Sequence, residues 1–143
     1  MLIGEYQHTV DQKGRMFIPS KFREDLGEKF IVTRGIGGCL FGLSQQEWAL
    51  FSQKLKALPL TDPDVLSFVR LFFAGASECE LDKQGRILIP ANLREMAKLD
   101  KDVVITGVLS RIEIWSKENW ENYSTNADRD FNDTLAKMAQ LGI

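Results

Sequence analysis

The chain has 143 residues and a formal net charge of −2, with 44% hydrophobic and 27% charged residues. This composition is typical of a soluble globular protein with one ordinary domain or two small ones. No segment approaches the ~20 apolar residues of a membrane span, and residues 1–5 lack the basic stretch and long apolar run of a signal peptide. We therefore expect a cytoplasmic protein without membrane contact.

The charges are segregated along the chain, although their sum is close to zero. Residues 13–23 carry four basic side chains and no acidic one, and residues 83–94 carry three basic side chains and no acidic one. Acidic residues accumulate instead near the C-terminus. A low net charge argues against nucleic-acid binding, but this segregation predicts a basic face. Its residues are Lys13, Arg15, Lys21, Arg23, Lys83, Arg86 and Arg94.

A hairpin and a short helix are predicted at the start of the chain. Residues 2–10 alternate and are rich in Tyr, Thr and Val, which indicates a strand. Asp11–Gly14 supplies turn chemistry, because Asp bonds to its own backbone and Gly tolerates positive φ. Residues 15–18 return as a second strand. Pro19 then starts a short helix, which Gly27 ends.

Two further strands and two helices complete the first half. The strands are predicted at 30–33 and 39–43, with a glycine-rich turn between them. Ser44 and Glu47 form a capping box that opens a helix ending before Pro59. The second helix is capped by Thr61 or Asp62 and ends at Ala74-Gly75.

The first half is then repeated. Asp-x-x-Gly-Arg-x-x-Ile-Pro occurs at 11–19 and again at 82–90, with five identities in nine positions. Asp82 and Gly85 are thus the counterparts of Asp11 and Gly14. The strands and short helix recur in the same order, and one long final helix is predicted over 116–141. Duplication of one unit explains this pattern. It indicates that the function depends on a feature that is present in both copies.

The repeat defines the expected domain organisation. Two equivalent units span 5–47 and 76–119. A helical connector at 48–75 separates them, and an acidic C-terminal helix follows at 120–143. The apolar stripe of that final helix is expected to cover the core or a neighbouring copy.

Each repeated turn presents an Asp and an Arg four residues apart. An ion pair that fixes the turn explains Asp11 and Asp82, but exposed pairs of this kind contribute only ~0–1 kcal/mol. Such an ion pair does not explain why further basic residues lie close to each turn in the sequence. The planar fork of Arg binds a phosphate or a guanine edge at two points, and a two-stranded ribbon fits the major groove. We therefore predict a DNA-binding surface.

An enzyme is not indicated, because no convergent set of titratable groups or Gly-rich phosphate loop occurs. Cys39 and Cys79 lie far apart without metal-ligand spacing, which predicts buried thiols. His8 is the only histidine, and it lies in a strand pattern. We expect no catalytic residue, metal site or cofactor.

The repeated motif, followed by a short helix and two strands, resembles the SpoVT-AbrB domain, the swapped-hairpin module of bacterial transition-state regulators. Two such copies, with Gly4-Glu5-Tyr6 at the start and Leu58-Pro59-Leu60 between them, resemble the MraZ family of transcriptional regulators. This resemblance covers nearly the whole chain. It implies an α+β, β-rich fold in which two tandem units form a pseudo-two-fold β-barrel with peripheral helices.

The resemblance also implies a function. Members repress the promoter of the division and cell-wall gene cluster, which includes their own gene, by binding short repeated sites on double-stranded DNA. They form ring-shaped homo-oligomers and are expected on the nucleoid. The family's Asp-x-x-x-Arg pattern assigns DNA contact to Arg15 and Arg86. The other five basic residues of this face are assigned to DNA contact only because they lie near these arginines in the sequence.

Two further expectations follow from the residues. The second copy has Gln84 opposite Lys13 and Asn92 opposite Lys21, so the first copy is expected to supply more of the attraction for phosphate. A different class of function, a ring-forming scaffold for protein partners, is the alternative that the apolar helix stripes favour.

Overall fold

Eight strands and six helices alternate along the chain, and the structure, a computed structural model, describes residues 1–143. The elements of the first half are β1 (Leu2–Thr9), β2 (Arg15–Phe17), α1 (Ser20–Leu26), β3 (Lys29–Arg34), β4 (Leu40–Ser44), α2 (Gln45–Lys56) and α3 (Pro63–Ala74). Those of the second half are β5 (Ser77–Glu80), β6 (Arg86–Leu88), α4 (Ala91–Met96), β7 (Asp102–Leu109), β8 (Arg111–Ser116), α5 (Lys117–Arg129) and α6 (Phe131–Ala139).

The strands form one antiparallel six-stranded sheet, in the order β1-β7-β8-β4-β3-β5, and one antiparallel pair, β2-β6. The α+β class that the sequence predicts is therefore confirmed. The ladders do not join β1 to β5, so the hydrogen-bonded strands make an open sheet and a ribbon rather than one closed barrel. We use "ribbon" below for the β2-β6 pair.

The strand order has a two-fold pseudosymmetry that relates the two halves. When each strand is replaced by its counterpart in the other half, so that β1 becomes β5 and β7 becomes β3, the same strand order is obtained, read from the opposite edge of the sheet. The register follows the same axis, because Arg15 pairs with Leu88 and Phe17 pairs with Arg86. Each half therefore supplies the hydrogen-bonding partners that the other half lacks.

The core lies on both faces of the large sheet. One cluster of 19 buried residues fills the space between the sheet, the ribbon and the short helices α1 and α4. Phe22 and Leu26 enter it from α1, and Leu93 enters it from α4. A second cluster on the opposite face joins Phe41, Leu43, Leu55, Phe72, Cys39 and Trp115 to the longer helices. The ribbon is thus held on the side of the molecule away from α2, α3 and α5.

Local chemistry explains the starts of α2, α3 and α5. The Ser44 hydroxyl accepts a hydrogen bond from the Glu47 amide, and the Ser116 hydroxyl accepts one from the Asn119 amide. Such bonds satisfy amides at a helix start that have no partner within the helix. Asp62 caps α3 in the same way, through the Asp64 amide. The predicted helix starts at these positions are confirmed.

The predicted hairpin of residues 2–18 is wrong in its pairing. Only its turn closes, through an isolated bridge between Val10 and Met16. Beyond that bridge β1 pairs with β7 and β2 pairs with β6. Alternation in a strand shows which side chains share a face, but it does not identify the neighbouring strand.

The prediction of a single long C-terminal helix is also wrong. Asp130 ends α5 and precedes α6, with φ −96° and ψ 6°. Asn and Asp compete for backbone hydrogen bonds and are poor in helix interiors, and the break follows the run Asn126-Ala127-Asp128-Arg129-Asp130. The chain therefore ends in two short helices, neither of which buries a residue.

Because β1 has its full-length partner in the second half, a fragment of residues 1–75 should not fold as a monomer. We expect it to form a homodimer in which β1 pairs with β3 of the second copy, since β7 is the counterpart of β3. Light scattering gives the mass, and amide exchange reports protection of β1. A monomeric fragment with a protected β1 would contradict the exchange of strands between halves.

Candidate nucleic-acid interface

Turn 1, comprising Asp11–Arg15, is fixed by one carboxylate. Oδ1 of Asp11 accepts hydrogen bonds from the backbone amides of Lys13 and Arg15, both at 2.9 Å. Oδ2 of Asp11 accepts from Nε of Arg15 at 2.7 Å. Gly14 completes the turn with φ 89° and donates its amide to the Asp11 carbonyl. The carboxylate therefore fixes both the turn and the direction of the arginine.

Turn 2, comprising Asp82–Arg86, has the same construction. Oδ1 of Asp82 accepts from the amides of Gln84 and Arg86 at 2.9 Å, and Oδ2 accepts from Nε of Arg86 at 2.8 Å. Gly85 has φ 83°. The turn-shaping positions deduced from the sequence, Asp11, Gly14, Asp82 and Gly85, have this geometry in both copies.

These hydrogen bonds lower the pKa of both carboxyls. The backbone amide of Arg15 has the largest effect on the pKa of Asp11, and the Arg15 side chain and the Lys13 amide lower it further. The pKa of Asp82 is lowered by the amide and side chain of Arg86 and the amide of Gln84. Both groups therefore stay ionised under acidic conditions that protonate ordinary aspartates.

Arg15 and Arg86 project from the same face of the ribbon. Met16 and Ile87 are buried, so their strand neighbours point outward by alternation. Diagonal neighbours across an antiparallel pair lie about 8 Å apart, and the register places the two arginines diagonally. The two turns thus contribute to one surface rather than to two distant ones.

The same face exposes two apolar side chains that the sequence interpretation did not select. Phe17 is 44% exposed and Leu88 58% exposed. The guanidinium of Arg86 lies over the Phe17 ring, 5.8 Å from its centroid. Both could have been identified from the sequence by the two-residue period of a strand. Phe17 lies two residues after Arg15, and Leu88 lies two residues after Arg86, so each shares a face with its arginine.

Both arginines keep donors free. Nε of each is bound to its aspartate, whereas the terminal nitrogens have no hydrogen-bond partner. The arginine side chains are 34% exposed at position 15 and 21% exposed at position 86. Each can therefore donate its terminal N–H groups to an anion without breaking the turn.

Arg23 and Arg94 lie across the repeats, which the linear sequence does not suggest. A Cβ atom at Gly14 would lie 2.6 Å from Cζ of Arg94, and a Cβ atom at Gly85 would lie 2.6 Å from Nη1 of Arg23. Each guanidinium therefore covers the turn glycine of the opposite half. Arg23 thus contacts turn 2 and Arg94 contacts turn 1, whereas the sequence places each beside the turn of its own repeat.

The three lysines of the predicted basic face are exposed. Lys13 and Lys83 lie within the turns, and Lys21 lies in the first turn of α1. None of their side chains forms an ion pair or hydrogen bond. Their charges are available to solvent and to an anionic partner.

Other chemically active groups lie apart from the turns or are buried. Cys39 and Cys79 are free and buried, as predicted, and burial raises their thiol pKa values to about 12 and about 11. No three His, Cys, Asp or Glu side chains form a metal-binding group. A cleft of mixed charge beside turn 1 is lined by Arg94, Lys98 and Lys101 together with Asp11, Glu95 and Asp100.

No helix combines the length and the apolar character that crossing a membrane requires.

Comparison with known proteins gives the family. The family model described as "MraZ protein, putative antitoxin-like" matches residues 1–71 and again residues 72–141. The chain belongs to the MraZ family. The two matches divide the chain close to the boundary between α3 and β5, so the family unit itself occurs twice.

Curated relatives agree with this assignment over the whole length. A MraZ transcriptional regulator of Caldicellulosiruptor saccharolyticus is 60% identical over 143 residues, covering all of both chains. One from Carboxydothermus hydrogenoformans is 59% identical over 141 residues, 99% of both chains, and one from Acetivibrio thermocellus is 59% identical over 143 residues, all of both chains. MraZ is a family of transcriptional regulators and not of enzymes.

The lowered pKa values predict how the turns respond to acid. A carboxyl whose pKa is lower in the folded state stabilises the fold above its unfolded-state value of 3.8, and this contribution is lost as pH falls through the lower folded-state pKa. We expect carboxyl ¹³C titrations of Asp11 and Asp82 to have midpoints below 3.8. Arg15→Met should raise the midpoint of Asp11 only partly, because the amide hydrogen bonds remain. A wild-type midpoint at or above 3.8 would contradict this geometry.

Proposed function

We propose that this chain is a sequence-specific DNA-binding transcriptional regulator. It represses the promoter of the division and cell-wall gene cluster that includes its own gene. The observation that carries the proposal is the pair of outward arginines, Arg15 and Arg86, each oriented by an aspartate and each with free terminal donors. The family membership supports it, since the relatives are named transcriptional regulators.

The orientation of the arginines favours base or phosphate contact over a purely structural pair. A guanidinium held at Nε presents its terminal nitrogens as a fork, which matches two acceptors on guanine or a phosphate. The aspartate limits the rotamers that binding must otherwise fix, so less conformational entropy is lost on binding. The ribbon also has the width that the major groove admits.

The short distance between the arginines determines how repeated sites are read. Diagonal positions of a strand pair are about 8 Å apart at the backbone, whereas neighbouring sites on one face of DNA are about 34 Å apart. One chain therefore covers one short site. Binding to repeated sites requires several copies, which links DNA binding to self-assembly.

We also propose that the chain assembles into a ring. α6 exposes Phe131 at 58% and Leu135 at 50%, and α3 exposes Phe68 and Leu71. Nothing in the chain covers the α6 stripe, whereas its counterpart in the first half, α3, inserts Phe72 into the second core cluster. Packing of α6 of one copy on α3 of the next joins unlike surfaces, and such contacts form a ring when the rotation between successive copies closes.

The two core units, 5–47 and 76–119, are on this proposal SpoVT-AbrB modules, with 48–75 as connector and 120–143 as the assembling C-terminal segment. Promoter binding places the protein on the nucleoid in the cytoplasm. The scaffold alternative uses the same apolar helices but needs no affinity for DNA, so the two functions are separated by a binding experiment.

Substitution of the paired arginines tests the DNA assignment. Arg15→Ala and Arg86→Ala should each weaken binding to the promoter fragment upstream of the chain's own gene by about tenfold or more, because each removes a forked donor. A fluorescence titration against this fragment and a scrambled duplex measures the effect, and a promoter fusion in cells should be derepressed. The control Lys56→Ala lies on α2, on the face of the sheet opposite the ribbon, and should bind normally. Unchanged binding in the double arginine variant would overturn the assignment.

Assembly is tested by charging the α6 stripe. Phe131→Asp with Leu135→Asp should reduce the solution mass by light scattering to that of one chain, because a carboxylate buried in an apolar contact is strongly unfavourable. Ala136→Asp adds one carboxylate to the same helix away from the stripe and should leave the mass unchanged. If wild type itself is a monomer at micromolar concentration, the ring proposal fails.

A further inference from the structure

The arginines that cover the turn glycines have unused donors. Arg23 donates Nε to the Ile18 carbonyl at 2.9 Å, and its terminal nitrogens have no partner. The Arg94 side chain donates no hydrogen bond, and neither arginine forms an ion pair. Both are partly exposed, so their free N–H groups are available to a ligand at the surface. Two guanidiniums with free donors beside the turns therefore suggest an anionic ligand.

Each of these donors lies next to the arginine of the other half. Arg94 covers Gly14, which directly precedes Arg15, and Arg23 covers Gly85, which directly precedes Arg86. Backbone bonds strengthen the same crossing, because the Ile18 amide donates to the Gly85 carbonyl and the Ile89 amide donates to the Gly14 carbonyl. The position of each turn is thus set by the opposite repeat.

We propose that each DNA-contacting unit of the chain is composite, with a turn from one repeat and an arginine from the other. One unit consists of Lys13, Arg15 and Arg94, and the other consists of Lys83, Arg86 and Arg23. In each, the crossing arginine donates its terminal N–H groups to a backbone phosphate beside the base contacted by the turn. This inference rests on the proposed function, because the ligand is promoter DNA.

The composite arrangement changes the expected balance between the repeats. By sequence, the first copy has four cations and the second has three. In the structure Arg23 contributes to turn 2 and Arg94 to turn 1, so each unit has two arginines and one lysine within its turn. The two units are therefore expected to contribute comparably to phosphate attraction, with Lys21 additional.

The crossing itself is tested without DNA. Arg23→Met keeps an unbranched apolar stem about as long as the arginine chain from Cβ to Nε and removes the guanidinium. It should shift the amide NMR signal of Gly85 but not that of Gly14. Burial, and then the charge of Arg23, lower the pKa of His8. Arg23→Met should therefore raise the His8 pKa, whereas Arg94→Met should not. A shift at Gly14 in place of Gly85 would overturn the composite arrangement.

The role in DNA binding is tested by salt dependence with the promoter fragment. Each phosphate contact contributes about 0.9 to the slope of log K against log salt concentration. Arg23→Met and Arg94→Met should each reduce that slope by about 0.9, and both together by about twice as much. Arg23→Lys keeps a charge at the phosphate and should keep the slope. The exposed Arg129→Met serves as the matched control and should leave the slope unchanged.

The outcomes separate this inference from the proposed function. Wild-type protein that does not bind the promoter fragment would refute the proposed function and this inference with it. Wild-type binding with an unchanged slope in both Met variants would refute only the phosphate contacts and make Arg23 and Arg94 purely structural. Weaker binding in Arg23→Met and in Arg23→Lys alike, at constant slope, would likewise refute the phosphate contact of Arg23.

Discussion

The backbone hydrogen bonds of the outer strands have no source within their own half of the chain. β1 is bonded along its length to β7, and β5 is bonded to β3, so the edges of the large sheet form only when both halves are present. Unpaired amides and carbonyls are costly wherever water is excluded. The ribbon has the same dependence, since the strand ladder of β2 is formed with β6 of the other half. The common surface of the two turns follows from this exchange of strands between halves.

The exchange explains why two turns give one surface. Had β2 paired within its own half, the turns would be carried by separate units and their spacing would depend on the linker. Antiparallel pairing instead places Arg15 and Arg86 diagonally on one ribbon, with Met16 and Ile87 anchoring its other face in the core. The large core cluster contains both anchors, so the stability of the fold and the position of the arginines have the same origin.

Features with a local cause could be predicted from the sequence. The caps at Ser44 and Ser116, the turn chemistry of Asp11 and the buried thiols depend on nearby residues, and the structure agrees with them. Strand partners could not be predicted, because a two-residue period gives the faces of a strand and not its neighbours. The positions of Arg23 and Arg94 depend on that partner choice. The break at Asp130 had a local cause, but the apolar stripe that continues across it favoured one helix.

The crossing between halves has a consequence for how the duplicated gene can change. Substitutions at sites that share no partner have independent effects on stability, so two separately folded copies could diverge freely. Three of the residues shared by both copies contact the opposite copy: the glycine under the arginine, the arginine over it, and the isoleucine whose amide bonds to that glycine. Other turn positions, such as Lys13 and Gln84, differ between the copies. A substitution at one of the three contacting positions therefore changes the environment of the opposite copy as well as its own.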